Sequence, residues 1–360
     1  MTLSHASSPA TTGIGFQNAY NCWVKNIKSL NARRNHVWLN QAARIEVRDS
    51  YFYGTQNAAS QSYGVEMFGT GDGLVVNNIF QHVTAPVMTG NSSGMVLAYN
   101  YMTDMYYTVA NWMMAGLQGS HDAGTGMNLV EGNVGNAFVM DNYHGTGNLI
   151  TVFRNRLTGT EGTKTANTIP VNLFGYNRYV NIVGNVLGTA GHHQTYQHSP
   201  SSSSGSPERS IYVLGYSGVG SSSAAGIPND PMTVSTLIRW GNFDFATSQS
   251  QWKPAEVASG VPVPSSPALP ASLFLAGRPA WWGSARWPAI GPDVTGGPDG
   301  AGHAHKIPAQ ICYEGTRRAA DGTLAFNGRT CYGETATTTP PPPPGPVVDP
   351  PNPPTNLSVR

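Results

Sequence analysis

The chain has 360 residues, of which only 11% are Asp, Glu, Lys or Arg, and a formal net charge of +1. That length holds two average domains or one large repetitive one, and a charge so sparse and balanced offers no basic face to a phosphate backbone, which excludes nucleic acid as an expected partner. With 42 glycines and abundant Asn, Ser and Thr, the surface is built from neutral polar groups, which suits neutral sugars or modestly charged glycans.

The opening stretch MTLSHASSPATTG has neither a basic n-region nor an apolar h-region, and no apolar run reaches the ~18 residues of a spanning helix. No membrane span is expected, and residues 1–13 read as a poorly structured N-terminal segment. From residue 14 a repeat sets in. VKNIKSL (24–30), IEVRDSY (45–51), GLVVNNI (73–79), MVLAYNY (95–101), NLVEGNV (128–134), ITVFRNR (150–156), VNIVGNV (180–186) and LIRWGNF (237–243) all carry Ser or Asn in sixth place. These residues are Ser29, Ser50, Asn78, Asn100, Asn133, Asn155, Asn185 and Asn242, which sets a unit of about 22 residues with insertions. Asn tolerates the left-handed backbone of a tight corner, and stacked Asn side chains can hydrogen-bond along a column.

A second row precedes the first in each coil: VWLN (37–40), VEMFG (65–69), VMTG (87–90), WMMAG (112–116), VMDN (139–142), VNLFG (171–175) and YVLG (212–215). Each unit therefore holds at least two strands, and runs this short, punctuated by Gly and Asn, leave no room for helical periodicity. The repeat stops beyond Phe245. Residues 246–336 are rich in Pro, Ser, Gly and Trp, densest in AWWGSARWPAIGPDV (280–294), and read as an irregular cover for an end or flank that would otherwise present open edges. Cys312 and Cys331 lie in that segment and are a candidate pair. TTTPPPPPGPVVDPPNPP (337–354) is a polyproline spacer, followed by TNLSVR (355–360).

The N-V, N-I and S-Y turns over residues 14–245 resemble the right-handed parallel β-helix repeat of the pectin lyase-like superfamily. The resemblance implies an all-β, right-handed parallel solenoid, secreted or at the cell surface, acting on polysaccharides as lyase, hydrolase or esterase, or only adhering to them. Calcium is a cofactor implied by the same resemblance, although the chain has no compact acidic ligand loop to hold it. PPTNLSV resembles the first strand of a fibronectin type III module, which implies fusion to further extracellular modules.

Period-two alternation in the second row makes Trp38, Glu66, Met88, Met113, Met140, Asn172 and Val213 the outward set. That is apolar for a solvated face, so either the Trp-rich segment lies on it or it is a sugar-binding groove with Glu66 as its one charge. Asp141 falls where other coils have Leu39, Met67 or Leu173, and an unpaired carboxylate there is costly. Either Asp141 is paired in a site, with His144 across the bend and Tyr143 between them, or the register slips by one residue. Glu131 stands where other coils have Val76 or Phe153. Arg154, one coil later and so about 4.8 Å on, either pairs with it structurally or neutralises a substrate carboxylate.

The long interval from Asn100 to Asn133 implies an excursion near GLQGSHDAGTG (116–126), headed by His121 and Asp122 with Trp112 leading in. The stretch 191–209, with His192, His193 and His198, reads as a flexible loop, and His303 and His305 are a weak metal pair.

Charges are scarce, yet His121, Asp122, Glu131, Asp141, His144, Arg154, Arg156 and Arg178 gather within residues 112–178. No GxSxG, Walker loop or HExxH accompanies them. The expected function is that of an extracellular polysaccharide-active protein. Elimination would use His144 as base and Arg154 as stabiliser; hydrolysis would use Glu131 and Asp141. Elimination is narrowly preferred, and it requires Asp141, His144 and Arg154 to line one concave face. Glu66, Trp112, Tyr143, Tyr176 and Arg178 are the expected substrate contacts. The rival is a non-catalytic glycan-binding or adhesive β-helix exposing Trp38, Trp112 and Tyr176 along a groove, and a third reading is a fragment without autonomous function.

Overall fold

The computed structural model describes residues 1–56, 61–201, 205–217 and 227–333; the polyproline spacer and the closing TNLSVR lie outside them. The described chain winds as a parallel β-helix of about seven turns. Every coil contributes one strand to each of three sheets. The first sheet holds the longest strands, among them Asn35–Asn40, Tyr63–Phe68, Ala85–Gly90, Leu117–Asp122 and Phe138–His144. The second runs from Trp23–Lys25 to Ile238–Trp240 and the third from Thr2–Ser4 to Asn242–Asp244, closed by the antiparallel Gln249–Gln251. Partner positions are 22 residues apart in regular coils such as Ile79 to Tyr101 and Val134 to Arg156, while insertions raise the mean to about 26.

The Asn column is the spine of this winding. From Asn78 through Asn100, Asn133, Asn155 and Asn185 to Asn242, each amide donates to the next residue's Oδ1 at 2.9–3.0 Å, and each Oδ1 also accepts the preceding Asn's backbone N–H. All six are inaccessible. The left-handed corner is made by the residue before each of them, Asn77, Tyr99, Gly132, Arg154, Gly184 and Gly241. The column therefore serves hydrogen bonding between coils, and backbone strain falls one position earlier. Ser29 is outside the column: Lys28 pairs with Tyr51, which puts Ile27 opposite Ser50. Ser29 sits instead in the third sheet between His5 and His36.

Two further expectations change. Thr2–Ser4 is already a strand, paired with Lys28–Leu30, because Leu3 reaches the core and gives the segment something to bury. Thr195–His198, expected as loop, pairs in parallel with Ser210–Leu214 at the end of the first sheet. It follows the alternation of TYQH, with Tyr196 packed on Tyr212. The irregular C-terminal segment packs Trp282, Ile290 and Ile307 against Tyr51, Ile79, Tyr99, Val186 and Phe243, so it covers the corner between the second and third sheets and the outer side of the third. Cys312 and Cys331 form a disulfide within it.

Candidate active site

The first sheet's outward row is Trp38, Glu66, Met88, Gln118, Val139, Asn172 and Val213. Met113 and Met140, expected in it, are not: Phe138 pairs with Leu117 and Val171, so the register is one residue off the VMDN alignment and Met140 points into the core. Both alternatives for Asp141 therefore hold. The slip turns it outward, and it is paired.

The excursion also moves. Leu117–Asp122 is a strand, and the inserted residues are 104–116. They pair with the loop 158–170 through Trp112 and Ala166, and Met113 N–H donates to Ala166 O at 3.0 Å. Glu161 ties the two loops, accepting from Met105 N–H and from Lys164. Met113 and Ala115 pack beside Val139, so this double loop walls one margin of the outward face.

Gly119 and Ser120 are small because the next coil's Phe138 ring fills the space a Gly119 side chain would need. The pairing of this strand with Phe138–His144 shifts register on both sides of Ser120, and such irregularities re-aim side chains. Here they bring Gln118, His121 and Asp122 to one patch with Asp141 and His144. Asp141 is nearly inaccessible. Its Oδ2 accepts from His121 Nδ1 at 2.6 Å and from the Gln118 amide, and its Oδ1 accepts from Tyr143 N–H at 3.1 Å. With Nδ1 held, His121 leaves Nε2 as its working nitrogen. Burial lowers the pKa of this imidazole, but the hydrogen bond and charge of Asp141, with Asp122 and Glu66, raise it above its ordinary value overall. The His144 ring meets His121 edge-on at 4.8 Å and is exposed.

Asp122 lies opposite His144 and leans over the preceding coil, where its Oδ2 occupies the place of a Gly90 side chain. Its carboxylate has no hydrogen-bond or ion-pair partner among the described residues. Glu66, two strands back from Asp122, is held by Arg34 at 3.0 Å and by the Asn35 amide at 2.7 Å. Tyr143 stacks edge-on with Phe174, and Tyr176 lies under Arg178, whose guanidinium grips Asp230 at 2.9 and 3.0 Å.

Glu131 and Arg154 lie elsewhere. Glu131 accepts from Tyr99 OH and from Leu273 N–H at 2.8 Å, and burial raises its pKa. Arg154 holds Asp293 through both oxygens at 2.7 and 2.8 Å and donates to Pro270 O and Ile290 O. No ion pair joins the two. Both fasten the C-terminal cover, so Asp141, His144 and Arg154 do not share a face, and the condition set for elimination through Arg154 fails. Gln118 and Asp122's role were not read from the sequence, since LQGSHD carries small residues inward and gives no apolar alternation to align.

No group of three or more His, Cys, Asp or Glu among the described residues is placed to hold a metal ion. Glu66 and Asp141 already accept from protein donors, so the donor set does not fit the calcium that the fold resemblance implies.

No protein-family model matches this chain, and no curated protein sequence matches it. Among solved structures, a DFA-IIIase mutant from Arthrobacter chlorophenolicus A6 aligns with TM-score 0.33 and 11% identity, over 69% of this chain and 57% of that one. This chain thus spans little more than half of that protein's length.

Proposed function

We propose that the outward face of the first sheet is the active site of a carbohydrate-active enzyme that cleaves polysaccharide by hydrolysis, and that the protein works outside the cytoplasm. One observation carries the reading: His121, held at Nδ1 by Asp141, stands beside Asp122, a carboxylate without a partner among the described residues. Glycosidic hydrolysis needs a proton donor for the leaving oxygen and a carboxylate for the anomeric carbon or for the attacking water. His121 with its raised pKa supplies the first through Nε2, and Asp122 supplies the second. Asp141 positions the imidazole and balances its charge. Elimination lacks its cation here, because Arg154 is committed to the cover and Arg34 to Glu66. The Cys312–Cys331 disulfide supports an oxidising location, and the half-buried rings of Tyr143 and Tyr176 supply flat faces for sugars.

The test incubates the protein with a polysaccharide panel while following reducing ends and absorbance at about 235 nm, where elimination products absorb through their new C=C bond. Reducing ends without the absorbance, abolished in His121→Ala and Asp122→Asn, is the expected result. Absorbance rising with reducing ends would overturn hydrolysis. Binding with no turnover would make this a glycan-binding β-helix.

A further inference from the structure

We propose that this groove selects uncharged glycans and rejects polyuronates, an inference that rests on the catalytic reading above and narrows its substrate class. Three carboxylates, Glu66, Asp122 and Asp141, share the face, and together with Arg34 they set the electrostatics around Tyr63, whose phenol is pushed well above its ordinary pKa by burial first and by Glu66 next. Three cations at its margins are committed, Arg34 to Glu66 at 3.0 Å, Arg178 to Asp230 at 2.9 Å and Lys164 to Glu161. The segments 57–60, 202–204 and 218–226 contain no charged residue that could reverse this balance.

A polyuronate brings one carboxylate per sugar against a face on which Arg34, Arg178 and Lys164 are already paired and the charge of His121 is balanced by Asp141, which leaves Asp122 as the unbalanced charge. A neutral sugar brings hydroxyl donors, and the face is rich in acceptors for them. The half-buried Asp122 carboxylate has no partner among the described residues and can accept from a sugar hydroxyl. Tyrosine rings complete a surface that recognises shape and hydroxyl pattern in preference to charge.

Affinity gel electrophoresis reads binding independently of turnover. The protein would be run at low and at physiological salt through gels containing hydroxyethyl cellulose, arabinoxylan or galactomannan, and through gels containing polygalacturonate or alginate. We expect retardation by at least one neutral glycan, and polyuronate binding weaker by about tenfold or more at low salt, with the gap narrowing as salt screens the repulsion. Glu66→Gln removes a carboxylate and releases Arg34, so polyuronate retardation should appear; the double variant Arg34→Gln/Glu66→Gln should abolish it again. Polyuronate retardation equal to or stronger than that of every neutral glycan, in the unaltered protein at low salt, would overturn the charge selectivity and leave the catalytic reading standing. No retardation and no cleavage with any of the five glycans would overturn both.

Discussion

Glu131 and Asp141 are ten residues apart in the chain, both nearly inaccessible, and both held by several hydrogen bonds. Glu131 receives Tyr99 OH and a backbone N–H of the cover, and its neighbour Arg154 grips Asp293 and two cover carbonyls. Every strong donor and acceptor at that corner is engaged within the protein. Asp141 is engaged as fully, but among the described residues one of its partners is a histidine that keeps a second nitrogen, beside a carboxylate that keeps both oxygens. Scarce charge and burial are common to the two regions. What separates a fastening from a reactive site is whether a polar atom remains for something else to meet.

The sharpest way to break this comparison is to remove His121. His121→Gln, whose amide can still donate to the buried Asp141, should lower turnover by about a hundredfold to ten-thousandfold, the usual contribution of a positioned acid or base, while the thermal midpoint stays close to that of the unaltered protein. Asp141→Asn should retain more activity and move the alkaline limb of the pH profile down, because the imidazole that must be protonated to act loses the charge that raises its pKa. A structural His121–Asp141 pair would show the opposite pattern: lost stability, with the pH profile of the remaining activity unmoved.

The fastening corner should respond in the reverse sense. Arg154→Met leaves Pro270 O and Ile290 O without their donor and the exposed Asp293 without its partner, at a cost of about 1–3 kcal/mol for the acceptors left unmet. Urea midpoints should fall, and limited proteolysis should open the segment after residue 246 first. Intact coils with unchanged urea midpoints would show that the cover is held by its Trp and Ile contacts alone.

The spine was legible because its signal is redundant. Six Asn residues recur beside apolar strands, and any two of them predict the others. Ser29 was misplaced for the converse reason: the first coil has Ile27 at the column position, so nothing polar marked the register, and a Ser two residues on took its place. The active face was legible only in composition. The VMDN slip arose because Val139 and Phe138 are equally apolar, and only the contact of Phe138 with the space above Gly119 decides which of them points inward. Asn155→Ala tests the legible part: it orphans Asn133 N–H and Val130 O in the core, at a cost of about 2–3 kcal/mol. A fall in midpoint much smaller than this would mean that water or backbone adjustment replaces the column.

A smaller effect separates the first coils from the rest of the solenoid through pH. His36 is inaccessible, bonded through Nδ1 to Ser29 Oγ at 2.8 Å and through Nε2 to Gly54 O at 2.8 Å. Burial is the largest influence on it and holds its pKa at about 4, against 6.5 in an unfolded chain. Above pH 6.5 the ring is neutral in both states and stability is unaffected. Below 6.5 the unfolded chain takes up a proton that the fold refuses, so stability declines as pH falls, by about 2 kcal/mol at pH 5, and the decline levels off below pH 4, where both states are charged. His193, bonded to Thr168 O and also held at about 4, adds a loss of the same sign near the other end. Urea midpoints measured between pH 7 and 4 should therefore drop in the unaltered protein, and His36→Gln should remove part of the slope while lowering the midpoint at pH 7 through its lost contacts. Because His36 bridges only the first coils, exchange of backbone amides in residues 28–55 should accelerate at pH 5 before that of the Asn133–Asn185 coils; uniform acceleration would show instead that the solenoid yields to acid as one unit.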